Sequence, residues 1–208
     1  MKIISFSFDD GFINTAHKVV RMGIPSTFYI VTGWVLKTKK IYDKYNLNIN
    51  HGELNDWKNL PIDIGCHSND HKKDYDIYES YTEYKNYFGD PYNFACPYGI
   101  YKSSDCFQSI KVGYFSFSND INKNSLKKLS SVNPVFDYKN KDQEFFQQLK
   151  SLPDNKWVVL TFHGIDEGWE PITQDYLFNI YNFVLDNGFV VKTITEVVNE
   201  LSSGNNNI

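Results

Sequence analysis

Arginine is nearly missing from this sequence: Arg21 stands alone among 21 basic residues. Any task that needs the flat, five-donor fork of a guanidinium therefore has one candidate. A basic excess is also lacking, since the formal net charge is -4. Without a positive field to gather phosphates, neither nucleic acid nor an anionic membrane surface is expected as a main partner. The densest lysine stretches, "LKTKK" at 36–40 and "SLKKL" at 125–129, read as solvated faces. No apolar run approaches the ~20 residues of a membrane-spanning helix. The opening "MKIISFSFDD" meets two acids before a signal-peptide core could form. The expectation is a cytoplasmic or host-cell cytosol-like location, with secretion left open if a leader was removed. Cysteine is scarce too: Cys66, Cys96 and Cys106 cannot all pair within one chain and show no CxxC spacing, which argues against a disulfide framework. No internal repeat is visible, and nothing points to a protein partner.

What the sequence does have is a sizeable apolar fraction, 41% of 208 residues, and 17% aromatics. That suffices for one core, read as a single domain over 1–202 with a disordered tail at 203–208. β-rich runs alternate with helical periodicity throughout. Strands are expected at 3–8, 26–31, 62–66, 92–96, 113–118, 157–162 and 188–192. Helices are expected near 13–22, 53–60, 78–88, 103–111, 142–151, 173–187 and 194–202. The polar stretch 118–141 reads as a surface excursion with a short strand near 134–137. Such alternation means α/β architecture, with parallel strands joined by helical crossovers into an open sheet or a closed barrel. In either case chemistry collects at the carboxyl ends of the strands.

Three polar clusters fall at such ends. "SFSFDDG" stops at Asp9, Asp10 and Gly11. Neighbours on a regular strand face opposite ways, so both carboxylates reach one pocket only if the chain turns there, which Gly11 permits. The plainer alternative is a turn or a helix cap. "GCHSNDH" sets His67 and His71 four apart after a buried-looking strand. With one or two carboxylates, two imidazoles make a site suited to Zn²⁺ and tolerant of Co²⁺, Mn²⁺ or Ni²⁺, although the same spacing also occurs on plain helices. "VVLTFHG" ends an apolar run in His163, by itself readable as a structural histidine.

In order, "SFSFDDG", "GCHSNDH", "FACPYG" and "VVLTFHG" resemble the motifs of the NodB-type polysaccharide deacetylases, carbohydrate esterase family 4. The resemblance extends over nearly the whole chain and includes "ELNDWKNLPIDIGCHSNDH" and the closing "TITEVVNEL". It implies a deformed (β/α)7-type barrel and a metal-dependent hydrolase of N-acetyl, or O-acetyl, groups on a sugar or polysaccharide. Asp10, His67 and His71 then match the metal ligands, for one divalent ion that is usually zinc. Asp9 matches the general base that takes a proton from water, and His163 the acid that protonates the leaving amine. Tyr98 matches the position whose backbone N–H supports the oxyanion, with Pro97 beside it on the substrate side. Leu160 matches a residue lining the acetyl pocket, and Trp169 is a candidate sugar platform or a loop anchor. Cys66, His17 and His51 read as structural or surface residues, and Asp166 and Glu167 as rim.

Two departures stand out. Where the family commonly places an arginine directed at the base, this chain has Ala95, and Arg21 is badly placed to replace it. The acidic, tryptophan-containing fourth motif is reduced to "GYFSFSNDIN", with Asp120 as a candidate partner of His163 and Lys127 or Lys128 as candidate cations. These departures keep two other readings open: a catalytically silent metal- or carbohydrate-binding module on the same fold, and an amidohydrolase of a small non-sugar amide.

Overall fold

The computed structural model describes residues 1–42 and 44–203. Apart from Ser203, the tail expected to be disordered lies outside the described residues. At the centre is β1 (Lys2–Phe8), a strand whose first and last residues have different neighbours on one side. Along its whole length it pairs in parallel with β8 (Lys156–Phe162). On the other edge its upper half pairs with β2 (Ser26–Ile30) and its lower half with β9 (Phe189–Val191). From β2 the sheet continues in parallel through β3 (Asp63–Cys66), β4 (Asn93–Ala95), β5 (Ser109–Val112) and β7 (Leu129–Ser130). Just beyond β7, a parallel bridge from Val132 to Leu160 brings the sheet back to β8, so the barrel is nearly closed. A two-residue β6 (Asn119–Asp120) lies antiparallel along the lower end of β8. This is the deformed α/β barrel expected from the motifs.

Strand alternation divides the core in two. Outward-facing Phe6, Phe8, Phe28, Leu160 and Phe162 join a large cluster with the crossover helices, including Ile13, Ala16 and Val19 of α1 (Ile13–Met22) and Leu177, Ile180 and Val184 of α7 (Gln174–Asp186). Their i, i+3 spacing is what fixes those helices, because propensity alone seldom stabilises segments this short. Inward-facing Ile3, Tyr29, Ala95, Leu129, Trp157 and Val159 form a second cluster with Ile194, Val197 and Val198 of α8 (Ile194–Ser202). That helix starts on a Thr193/Glu196 capping box and closes the lower end of the barrel. The upper end, where the strands terminate, is left for the site. No helix among the described residues is long and apolar enough to cross a membrane.

The stretch 103–118 differs from expectation. Instead of a helix followed by a strand, residues 109–112 form β5 and 113–118 form loop. In "GYFSFS" the alternation does not correspond to burial, since Tyr114 and Phe115 are both exposed. In "SIKV" the alternation is genuine but disguised, because Ile110 packs outward while the polar position between the apolar ones, Lys111, points into the barrel and is buried. Likewise 134–137 is a helical turn, α5 (Pro134–Asp137), with Pro134 in its first turn and Asn133 accepting from the N–H groups of Val135 and Phe136.

Candidate active site

β1 delivers two adjacent carboxylates by two different means. Asp9 continues the inward alternation of Ser5 and Ser7, and its N–H donates to the Phe162 carbonyl at 2.8 Å. Asp10 leaves the strand in a left-handed conformation, φ 69°, followed by Gly11 at φ 65°. A Cβ on Gly11 would lie 3.2 Å from the Ile30 Cα, so both space and backbone favour glycine here. The turn swings the Asp10 carboxylate back over the barrel mouth, where a regular strand would have sent it outward. Asn46 and His51 hold it there. Asn46 Nδ2 donates to Asp10 Oδ2 at 3.2 Å, and His51 Nδ1 lies 2.9 Å from the Asp10 carbonyl. The His51 carbonyl in turn accepts from Trp57 Nε1 at 2.7 Å. His51 is thus a buried structural residue, while His17 is exposed.

β3 and the loop after it supply the histidines. His67 and His71 are buried, and the Thr32 and Gly33 N–H groups donate to the Ser68 and Asn69 carbonyls between them. His71 itself is left-handed, φ 53°, with its N–H donating to Ser68 Oγ at 2.9 Å. Asp10 Oδ1 lies 3.3 Å from His67 Nε2 and 3.2 Å from His71 Nε2. One donor atom from each of the three residues falls within 4.8 Å of the others.

This triad fits a divalent cation on its own chemistry. His67 Nδ1 faces the Ala95 carbonyl at 2.8 Å; a carbonyl only accepts, so Nδ1 carries the proton and the Nε2 lone pair points at the triad. Asp10 Oδ1 is buried and, among the described residues, faces only the two imidazole nitrogens without a well-formed hydrogen bond, a costly arrangement for a carboxylate oxygen unless a cation meets it. Burial alone would push the Asp10 carboxyl up, but His71, His67 and His163 outweigh it and hold the group far below the ordinary carboxylate range. Against its own burial penalty, His67 is pushed up by Asp9 and Asp10. A two-nitrogen, one-oxygen donor set with remaining open positions is the pattern of a catalytic rather than a structural metal site.

The triad forms part of the wall of a cavity of about 450 Å³ at the barrel mouth, lined also by Asp9, Tyr98, Lys111, Thr161, His163 and Trp169. Tyr98 sits in a 3-10 turn, Pro97–Gly99, with φ 55°, and its ring packs 4.8 Å from that of His71. Non-glycine residues rarely adopt this conformation; that Asp10, His71 and Tyr98 all do so around one cavity marks a wall held by its surroundings. His163 is half-buried against Trp169, edge to face at 4.9 Å, and Trp169 reaches Phe136 of α5 at 5.1 Å. Burial lowers the His163 pKa; Asp10 and Asp9 oppose this without reversing it, and Lys111 adds to the lowering.

Other expected residues are placed elsewhere. Leu160 faces the outer core, away from the cavity, and the alternation of β8 puts Thr161 on the His163 side instead. Pro97 is buried and shapes the turn behind Tyr98 without lining the cavity. Asp120 is exposed at the far end of β8, paired with Lys156 at 2.6 Å, so it cannot serve His163, whose Nδ1 has no hydrogen-bond partner among the described residues. Lys127 bonds the Phe107 carbonyl, and Lys128 lies over the Tyr101 and Phe115 rings. The cation within the cavity is Lys111, whose Nζ is 2.5 Å from Asp9 Oδ1. It lies in β5 and not in the helix expected over 103–111; its signal in the sequence is a lone lysine between two β-branched residues, Ile110 and Val112.

No protein-family profile and no curated protein matches the chain. Solved structures do. A putative polysaccharide deacetylase from Mycobacterium smegmatis aligns with a TM-score of 0.62 at 10% identity, covering 98% of this chain and 91% of the other. The Xyl-CE4 domain of a multidomain xylanase from the hindgut metagenome of Trinervitermes trinervoides aligns at 0.56 and 16%, covering 97% and 91%. A family 4 acetyl xylan esterase from Clostridium thermocellum, solved with a cobalt ion, aligns at 0.51 and 18%, covering 95% and 90%. At such identities the shared property is the fold, and it is the one the motifs resemble.

Proposed function

We propose that the chain is a metal-dependent deacetylase that hydrolyses N-acetyl groups, or O-acetyl groups, from a carbohydrate. One observation supports this above all: two carboxylates adjacent in sequence enter one cavity by different backbone routes, Asp10 toward two histidine nitrogens and Asp9 toward the Lys111 ammonium. A divalent cation at Asp10, His67 and His71, zinc by preference, would supply Lewis acidity, polarising an acetyl carbonyl and making water easier to deprotonate.

The protein's own groups divide the remaining work. Asp9 takes the proton from attacking water. Negative charge then builds on the former carbonyl oxygen, and the Tyr98 N–H on the cavity wall is its donor in this reading. The C–N bond breaks only if the nitrogen is protonated as it leaves, which falls to His163 on the opposite wall. A lowered pKa makes that imidazole the stronger acid once it holds a proton. Trp169, half-buried beside His163, offers a sugar ring an apolar face. Thr161 lies on the cavity side of β8, in the place expected for Leu160.

The reading is tested by acetate release from chitooligosaccharides and from a generic acetyl ester with zinc-loaded protein. Release is expected from at least one substrate and is expected to vanish in His67→Ala. Stoichiometric zinc binding without acetate from any substrate would contradict it and leave the silent-module and small-amide readings.

A further inference from the structure

Lys111 is 2% exposed and comes from β5, on the opposite side of the barrel from β1. Its ammonium has three protons and meets three acceptors: Asp9 Oδ1 at 2.5 Å, Thr161 Oγ1 at 3.0 Å and Ser7 Oγ at 3.2 Å. Ser7 donates its own proton to the Leu160 carbonyl at 2.8 Å, which leaves its oxygen free to accept. The Tyr29 ring lies 4.7 Å below the ammonium. A buried lysine is costly unless paired and hydrogen-bonded, and this one is both. Burial pulls its pKa down, while Asp9 works against that loss.

From this geometry we infer that Lys111 is the positioning residue of the catalytic base, an inference that rests on the deacetylase reading above. The ammonium clamps Oδ1 of Asp9 from across the barrel and is itself fixed by β1 and β8, so the Asp9 carboxylate is held in one orientation. No hydrogen bond from another described residue falls on Oδ2, the oxygen available for the proton of water. In the β4–β5 pairing Lys111 is the Cα partner of Ala95, the position where the motifs lead one to expect an arginine. The positive charge therefore stands one strand to the side of Ala95, at the same height in the barrel. Adjacent strands lie about 4.8 Å apart, within the reach of a lysine side chain, so either position can serve the same carboxylate.

The test compares wild type, Lys111→Met, Lys111→Ala and the double variant Lys111→Ala with Ala95→Lys, each scored for zinc affinity, unfolding and the separate constants kcat and KM. With Lys111→Met, kcat is expected to fall about a hundredfold while zinc affinity and KM stay within about threefold, the pattern of a misaligned base. Restoring the cation on β4 is expected to recover at least about tenfold of the kcat lost in Lys111→Ala, which a purely structural lysine would not allow. The inference is overturned if Lys111→Met keeps its kcat. It is equally overturned if the double variant folds and binds zinc yet recovers nothing. Wild-type protein inactive on every acetylated substrate would instead remove the deacetylase reading, and the role of Lys111 with it.

Discussion

The two sides of the cavity wall were built by different sequence devices. On the β1, β3 and β8 side, each functional group stands at the end of an apolar strand, next to a glycine or within a short polar cluster. On the β5 and β7 side, Lys111 lies inside a four-residue strand between Ile110 and Val112, and nothing around it announces a site. The first device places side chains by a turn and needs unusual backbone: Asp10 and His71 are both left-handed. The second needs only strand alternation, so it leaves no trace but a polar residue in a short apolar pattern. Motif-bearing residues can thus be read from the chain, whereas a charge reaching them from a strand that is a neighbour only in space cannot.

If that contrast holds, substitutions on the two sides should fail in different ways. The largest effect is expected from removing a triad member. His67→Ala leaves two of the three donors, so zinc content measured by elemental analysis should fall to background and acetate release with it. Next in size, Asp9→Asn should keep its zinc and lose about 10²- to 10⁴-fold in kcat, the range of a general base. Leu160→Ala and Thr161→Val form an instructive pair on one strand. Leu160 is fully buried in the outer core, so its truncation should cost about 2–5 kcal/mol in denaturant unfolding while leaving KM and kcat of the folded enzyme nearly unchanged. Thr161→Val should do the reverse, shifting kinetics more than stability, because Thr161 lines the cavity and accepts from Lys111. The smallest effect is expected from Asp120→Asn, which breaks a surface pair with Lys156 and should change neither acetate release nor, beyond about 0.5 kcal/mol, stability. A loss of activity there would mean that Asp120 serves His163 after all.

Much of the fold was legible because its strands are short, apolar and evenly separated by helical periodicity. The failure at 103–118 came from a lysine inside the barrel, which mimics a solvent-facing position, and from Tyr114 and Phe115, which mimic core positions while exposed. At the site, Asp9, Asp10, His67, His71, Tyr98, His163 and Trp169 were found together because strand ends converge at the mouth of a barrel. For Leu160 the family resemblance implies a place in the acetyl pocket, whereas the two-residue period of the strand turns it outward. Asp120 was chosen for nearness in sequence to the expected fifth strand; it sits at the lower end of β8, a full strand length from His163.

The division of labour between Asp9 and Asp10 is tested most directly by titrating zinc calorimetrically into the metal-free Asp9→Asn and Asp10→Asn variants. Binding one zinc with near wild-type affinity in Asp9→Asn, and none in Asp10→Asn, is the result expected from a carboxylate pair split between Lys111 and two imidazoles. Equal loss in both variants, or retention in Asp10→Asn, would contradict it.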